Sequence, residues 1–269
     1  MAAPSEPVGA AVPASVEPAP RRSEETVVHT RLLRLALGIE ESRAYFTNVD
    51  PSVPAAERNA LAFEQRWFGG KSSARVKSLL AYCSARYDAY PEALEVLRQW
   101  RAMDAATRQV VVHWHVQLTD PLYRRFTGSY LVDRRGGPRP TIDRDVVTQW
   151  VQSQPEGSRW APATAVQFAS KLLSAGSEAG LVSPKRDPRT LPLPKVTDLA
   201  LGYLLHLLRG LELEGTLFEN AYLASVGLEG GAIDQRLRAL PGLTYRRMGN
   251  LYEADWAAPD LTSWAEVTR

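Results

Sequence analysis

Apolar residues recur along most of the chain at spacings of three and four, the period of helices that bury one face. This spacing predicts a helix over 30–46 (TRLLRLALGIEESRAYF), a break at VDPSVP (49–54), and a second helix over 55–67. Over 73–87, Val76, Leu79, Leu80, Cys83 and Tyr87 form one apolar face, with Arg75, Tyr82 and Arg86 on the other side. Helices follow over 91–100 and 104–118, the second capped by Asp104. Asp120 followed by Pro121 starts another, because proline in the first turn sacrifices no hydrogen bond.

GGPRP at 136–140 interrupts the pattern and sets a boundary between two helical domains, 27–135 and 136–269. The second half restarts with a helix over 141–153 and another over 162–179, begun by Pro162 and closed by Gly180. The proline-rich stretch 181–196 predicts a short irregular hairpin, 197–213 a long apolar helix, and 231–239 a short helix stopped before Pro241. LTYRR and LYEADW, on either side of Gly249-Asn250, read as a β-hairpin. Helix, helix, hairpin is the order of a winged helix-turn-helix. The expected fold class is therefore mainly α: two helical domains with helix-turn-helix-like elements and a small C-terminal β-hairpin, or wing. An internal echo points the same way. Arg66-Trp67 and Leu79-Leu80 recur as Arg159-Trp160 and Leu172-Leu173, which would give both halves a shared helix-turn-helix-like element.

Composition narrows the class. A hydrophobic content of 45% and a charged content of 23% suit a globular protein. The single cysteine excludes an internal disulfide and a cysteine-based zinc cluster, and its place on an apolar face suits a buried thiol. Residues 1–26, rich in alanine and proline, read as a disordered tail and not a signal peptide. The longest uncharged apolar run, LALGYLLHLL at 199–208, is too short to cross a membrane, so a soluble, cytoplasmic protein is expected. The net charge of +2 is unevenly spread. Residues 66–144 hold fourteen Lys or Arg against seven Asp or Glu, whereas 1–65 and 199–269 each hold six against nine. Such clustering suits a protein that meets a polyanion.

GGKSS at 69–73 invites comparison with a nucleotide-binding loop, but that loop needs a glycine where Gln65 stands and a buried strand before it. Two readings remain for these residues. Lys71, Ser72 and Ser73 at a helix start can hold an anion, or they can simply cap a surface helix whose charges are solvated. His113 and His115 lie about 200° apart around a helix, which prevents them from chelating one metal. They read as residues of an amphipathic helix around Trp114. No GxSxG, HExxH or dinucleotide-binding glycine pattern occurs. No catalytic residue, cofactor, metal or small-molecule substrate is expected.

Three ordered blocks, RWFGGKSSARVKSLL, LTDPLYRRFTGSYLVDRR and WAPATAVQFASKLLSAGSEAGLV followed by ALGYLLHLLR, resemble the BrxA family, small components of BREX phage-defence systems. The resemblance runs over about 30–256. It implies a fold similar in part to the RNA-binding factor NusB, and double-stranded DNA binding through helix-turn-helix elements, with other BREX proteins as partners. The family's usual Ser-Pro before the first basic helix stands here as Gly70-Lys71-Ser72-Ser73. On this reading GGKSS faces a backbone phosphate. The expected contacts are Lys71, Ser72, Ser73, Arg75, Lys77, Arg124 and Arg125, with Arg134, Arg135 and Arg139 as a flexible basic flank. An RNA-binding regulator like NusB and a protein-interaction scaffold are the alternatives.

Overall fold

The computed structural model of the chain describes residues 22–184, 186–249 and 251–268. The expected tail at 1–26 lies outside them up to residue 21, but its last residues are ordered. Arg22–Ser23 (β1) pairs in parallel with Leu211–Glu212 (β4). The expected helix over 30–46 is divided. A short 3-10 turn at Arg31–Leu33 precedes α1 (Ile39–Asn48), whose N-cap Gly38 sits at φ 61. A Cβ at Gly38 would also lie 2.7 Å from the Leu35 side chain, so no continuous helix passes through this point.

The next elements follow the apolar pattern: α2 (Ala55–Glu64), α3 (Ser73–Tyr87), α4 (Pro91–Gln99) and α5 (Ala105–Thr119). From Pro121 the chain stays helical through α6 (Pro121–Arg125), one π turn (Phe126–Tyr130) and α7 (Leu131–Gly136). The middle of the chain is β2 (Thr141–Ile142), α8 (Arg144–Ser153), α9 (Pro162–Glu178) and β3 (Arg189–Thr190). The predicted local hairpin over 181–196 is partly replaced: β3 pairs antiparallel with the distant β2. The C-terminal part is α10 (Asp198–Arg209), β4, α11 (Ala221–Ser225), α12 (Gly230–Ala239), β5 (Leu243–Met248) and β6 (Leu251–Trp256). The predicted hairpin is present, with Met248 opposite Leu251 and Gly249 at φ 60; Asn250 lies outside the described residues. A last helix, α13 (Leu261–Thr268), has no counterpart in the sequence reading and packs on α4 and α10. The protein is thus mainly α-helical, with a small C-terminal hairpin.

The cores do not follow the expected split at 136–140. One core joins α1–α4 to α10–α13, and the other is built from residues 112–191 with Leu32 and Leu37. They share α5. Val110, Val111, Trp114 and Leu118 face the first core, while Val112 and Val116 face the second. Every residue from Val110 to Thr119 is buried, so α5 is not the amphipathic helix expected around HWH. A helix buried on all sides needs cover on all sides, and the chain supplies it by returning to the first core through α10. Trp114 is wholly enclosed and donates from its indole N–H to Tyr222 O at 3.1 Å. Truncating such a side chain costs about 3–5 kcal/mol.

Candidate nucleic-acid interface

GGKSS follows a helix and not a strand, which removes the nucleotide-loop reading. Gln65 is the C-cap of α2, and its side chain accepts the Trp67 indole N–H at 2.9 Å. Gly69, at φ 75, turns the chain so that Lys71 N–H reaches Gly69 O at 2.9 Å. Ser72 is the N-cap of α3: it is extended, and its Oγ accepts the Arg75 N–H at 3.4 Å. Ser73 and Ala74 then carry first-turn N–H groups with no carbonyl four residues earlier in the helix. Lys71, Ser72, Ser73, Arg75 and Lys77 are all exposed. None of their three cationic side chains has a hydrogen bond or ion pair among the described residues.

The outer face of α3 is built of small residues, Ala74, Ser78, Ala81 and Ala85, flanked by Lys77 on one side and Arg75 and Tyr82 on the other. A small hollow brings Tyr82 and Ala85 to Arg31 of the 3-10 turn. Arg31 thereby extends the cationic margin, and its neighbour Arg34 is also exposed. Sequence reasoning missed both because it placed them inside a single long helix. Arg86, assigned to the outer side, is instead buried and donates to Leu37 O at 2.6 Å and Ser42 Oγ at 2.9 Å. Cys83 is buried as expected, and loss of solvation pushes its thiol up to about 12.

Four of the remaining expected contacts, Arg124, Arg125, Arg134 and Arg135, are corrected by the fold. Arg124 is buried: it donates to Gln117 O at 2.6 Å and Glu25 O at 2.8 Å and lies 3.4 Å from the Glu24 carboxylate. A guanidinium held by two carbonyls and a buried carboxylate has no face left for a phosphate. Arg125 is paired with Glu156 at 2.9 Å. Arg134 and Arg135 are no flexible flank. They tie α7 to the β2–β3 sheet region, Arg134 through Thr141 O at 2.8 Å and Arg135 through Leu191 O at 3.1 Å. Arg139 remains exposed, without a side-chain partner among the described residues.

A second helix pair matches the first. α8 and α2 each span ten residues, and in both pairs eight residues separate the helices, 65–72 and 154–161. The connection between α8 and α9 depends on Gly157, where a Cβ would lie 2.3 Å from Val151 O. Trp160 then stacks on Phe168 of α9 at 4.3 Å. The sequence echo is out of step with this likeness. Arg66-Trp67 begins seven residues before α3, whereas Arg159-Trp160 begins three before α9, a difference of about one helical turn. The outward face of α9 carries Ala163, Val166, Gln167 and Ser174, with Arg159 exposed just ahead of the helix and Lys171 half-buried on it. Their signal was available in the sequence as the polar complement of the Ala165–Phe168–Ala169–Leu172 face.

The two central histidines are structural. His113 lies 2.9 Å from both Tyr123 Oη and Ser225 Oγ, and His115 lies 2.7 Å from Tyr203 Oη. Burial lowers both to about 3, so they are neutral at pH 7. Among the described residues no group of three or more His, Cys, Asp or Glu side chains could hold a metal ion, and no helix is long and apolar enough to cross a membrane. Compared with known protein families and with curated proteins, the chain matches none.

Proposed function

We propose that the protein is a non-enzymatic, cytoplasmic double-stranded DNA-binding component of a BREX-type defence system. The observation that carries the DNA reading is the start of α3, where Lys71, Arg75 and Lys77 stand exposed and unpaired beside a capped N-terminus. Cations and free N–H groups grip phosphates, while a helix face of small residues can approach a groove closely. α9 offers the second such face, with Gln and Ser side chains of the kind that hydrogen-bond base edges. The BREX assignment rests on the resemblance of the sequence blocks alone. The contact set now reads Lys71, Ser72, Ser73, Arg75, Lys77 and Arg139, joined by Arg31, Arg34, Arg159 and Lys171.

Each phosphate contact contributes about 0.9 to the slope of log affinity against log salt. Replacing Lys71, Arg75 and Lys77 with Ala should flatten that slope by roughly 2.7, similarly on two unrelated duplexes. Fluorescence anisotropy across a salt series measures it, with circular dichroism as the check on folding. An unchanged slope in the folded variant would remove α3 from the interface. Absence of duplex binding by the parent at low salt would sink the DNA reading, and matched RNA displacing duplex would favour the NusB-like one.

A further inference from the structure

Arg124 and Arg125 line a cleft of about 970 Å³ between β1, the α6–π turn segment and the β4–α11 connection. That is the upper end of the roughly 300–1,000 Å³ spanned by ligand-binding clefts. Part of its lining is apolar, from Leu213, Phe218, Ala224 and Leu228. The rest is rich in glutamate. Three of these carboxylates are paired: Glu24 with Arg124, Glu156 with Arg125, and Glu219 at 2.9 Å with Arg247, which also meets Asp234 at 3.3 Å. Glu212, Glu214 and Glu229 are exposed, and their side chains have no hydrogen bond or ion pair among the described residues, although Arg135 acts on Glu229 electrostatically.

The walls are fixed in place. Glu24 accepts the Tyr222 hydroxyl and the Glu214 N–H, the latter at 3.2 Å. The π turn meets α11 at Gly128, where a Cβ would fall 2.5 Å from Ala221 Cβ. A preformed wall lowers the ordering cost of binding. β4 ends at Glu212 and the chain bends at Glu214, and both residues line the cleft.

We propose that this cleft docks a peptide segment of a partner protein that bears lysine or arginine beside an apolar residue. The apolar residue covers the Leu213–Phe218–Leu228 lining, and the cations meet Glu212, Glu214 and Glu229. The charge argues against other occupants. A phosphate backbone is repelled by an excess of three carboxylates, and among the described residues these carboxylates do not cluster closely enough to hold a metal ion. Residues 1–21 carry Arg21 against Glu6 and Glu17, so the chain's own N-terminus lacks the complementary charge.

The test is anisotropy of a fluorescein-labelled short peptide alternating arginine and leucine, with a citrulline-for-arginine counterpart of the same shape. At low salt the full chain should bind the arginine peptide and bind the citrulline one at least tenfold more weakly. The variant Glu212→Gln/Glu214→Gln/Glu229→Gln should lose at least tenfold in affinity. A control removing three exposed carboxylates elsewhere, Glu57→Gln/Glu64→Gln/Glu92→Gln, should change it less than twofold. Equal losses in both triples would reduce the effect to general charge attraction and overturn the proposal, as would absence of binding by the parent. A fall in duplex affinity in the Glu212→Gln/Glu214→Gln/Glu229→Gln variant would assign the cleft to nucleic acid and likewise refute it. The proposal does not depend on DNA binding. Duplex affinity measured on the same variants should not fall, so the two readings fail separately.

Discussion

Enclosing two neutral histidines at the centre of α5 makes folding depend on pH in a way that can be calculated. His113 and His115 are both 0% exposed, and both are lowered from 6.5 to about 3 by burial. A native value below the unfolded one means that the unfolded chain takes up protons the folded protein excludes. Stability should therefore be complete well above 6.5, fall as pH drops through it, and go on falling toward 3. Between pH 7 and pH 5 each histidine removes about 2 kcal/mol, and the pair about 4 kcal/mol. This result barely depends on how far below 5 the native values lie. Burial raises Asp120 and Glu178 and so acts in the opposite direction, which means the total change of the parent is not the right readout. The difference between two proteins is. His113→Gln/His115→Gln keeps side chains able to hydrogen-bond but unable to titrate, and leaves both carboxyls in place. Urea unfolding at pH 7 and pH 5 should show the parent losing about 4 kcal/mol more than the double variant. Equal losses would mean that the imidazoles are protonated inside the fold or open to water, and would refute the assignment of α5 as a dry central helix.

Arg124→Met should destabilise by about 3–5 kcal/mol, because it strands the buried Glu24 carboxylate and two carbonyls. A loss under 1 kcal/mol in urea unfolding would return Arg124 to the surface. Gly128→Ala should cost about 1–3 kcal/mol by pushing the π turn off α11. Gly70→Ala, with nothing within 4 Å of its new methyl, should stay within about 0.5 kcal/mol; thermal melts of the two compare them directly.

Much of the helical framework was legible because its signals are local. Ser72, Asp104, Asp120 and Thr197 each accept a first-turn N–H, and Pro121 and Pro162 stand at helix starts. These depend on neighbours a few residues away, as does the tight turn between β5 and β6. The candidate interface was half legible for the same reason. Residues 69–75 fix the turn and cap that start α3, whereas the absence of partners for Lys71, Arg75 and Lys77 is a result of the tertiary packing.

The arginines of 120–135 show where that reasoning stops. In sequence Arg124 and Arg125 look like Arg75, cations in a basic run. Their carboxylate partners, Glu24 and Glu156, lie 100 and 31 residues away and come into range through tertiary packing. Charge counted along a chain ignores such partners, so a surplus of positive residues became in part an acidic cleft. The break at 136 shows the same limit. A glycine-proline break ends a helix, but whether it ends a core depends on what covers α5, and that cover comes from both ends of the chain. The sequence by itself determined where capped and proline-led helices begin and the apolar face of α3, since hydrogen bonding in the first turn and the 3.6-residue period are local. It did not determine the break before α1, the burial of Arg86 or the enclosure of α5. Tertiary structure alone decided which charges remain free, because a charge is cancelled by whatever lies within a few ångströms, at any distance along the chain.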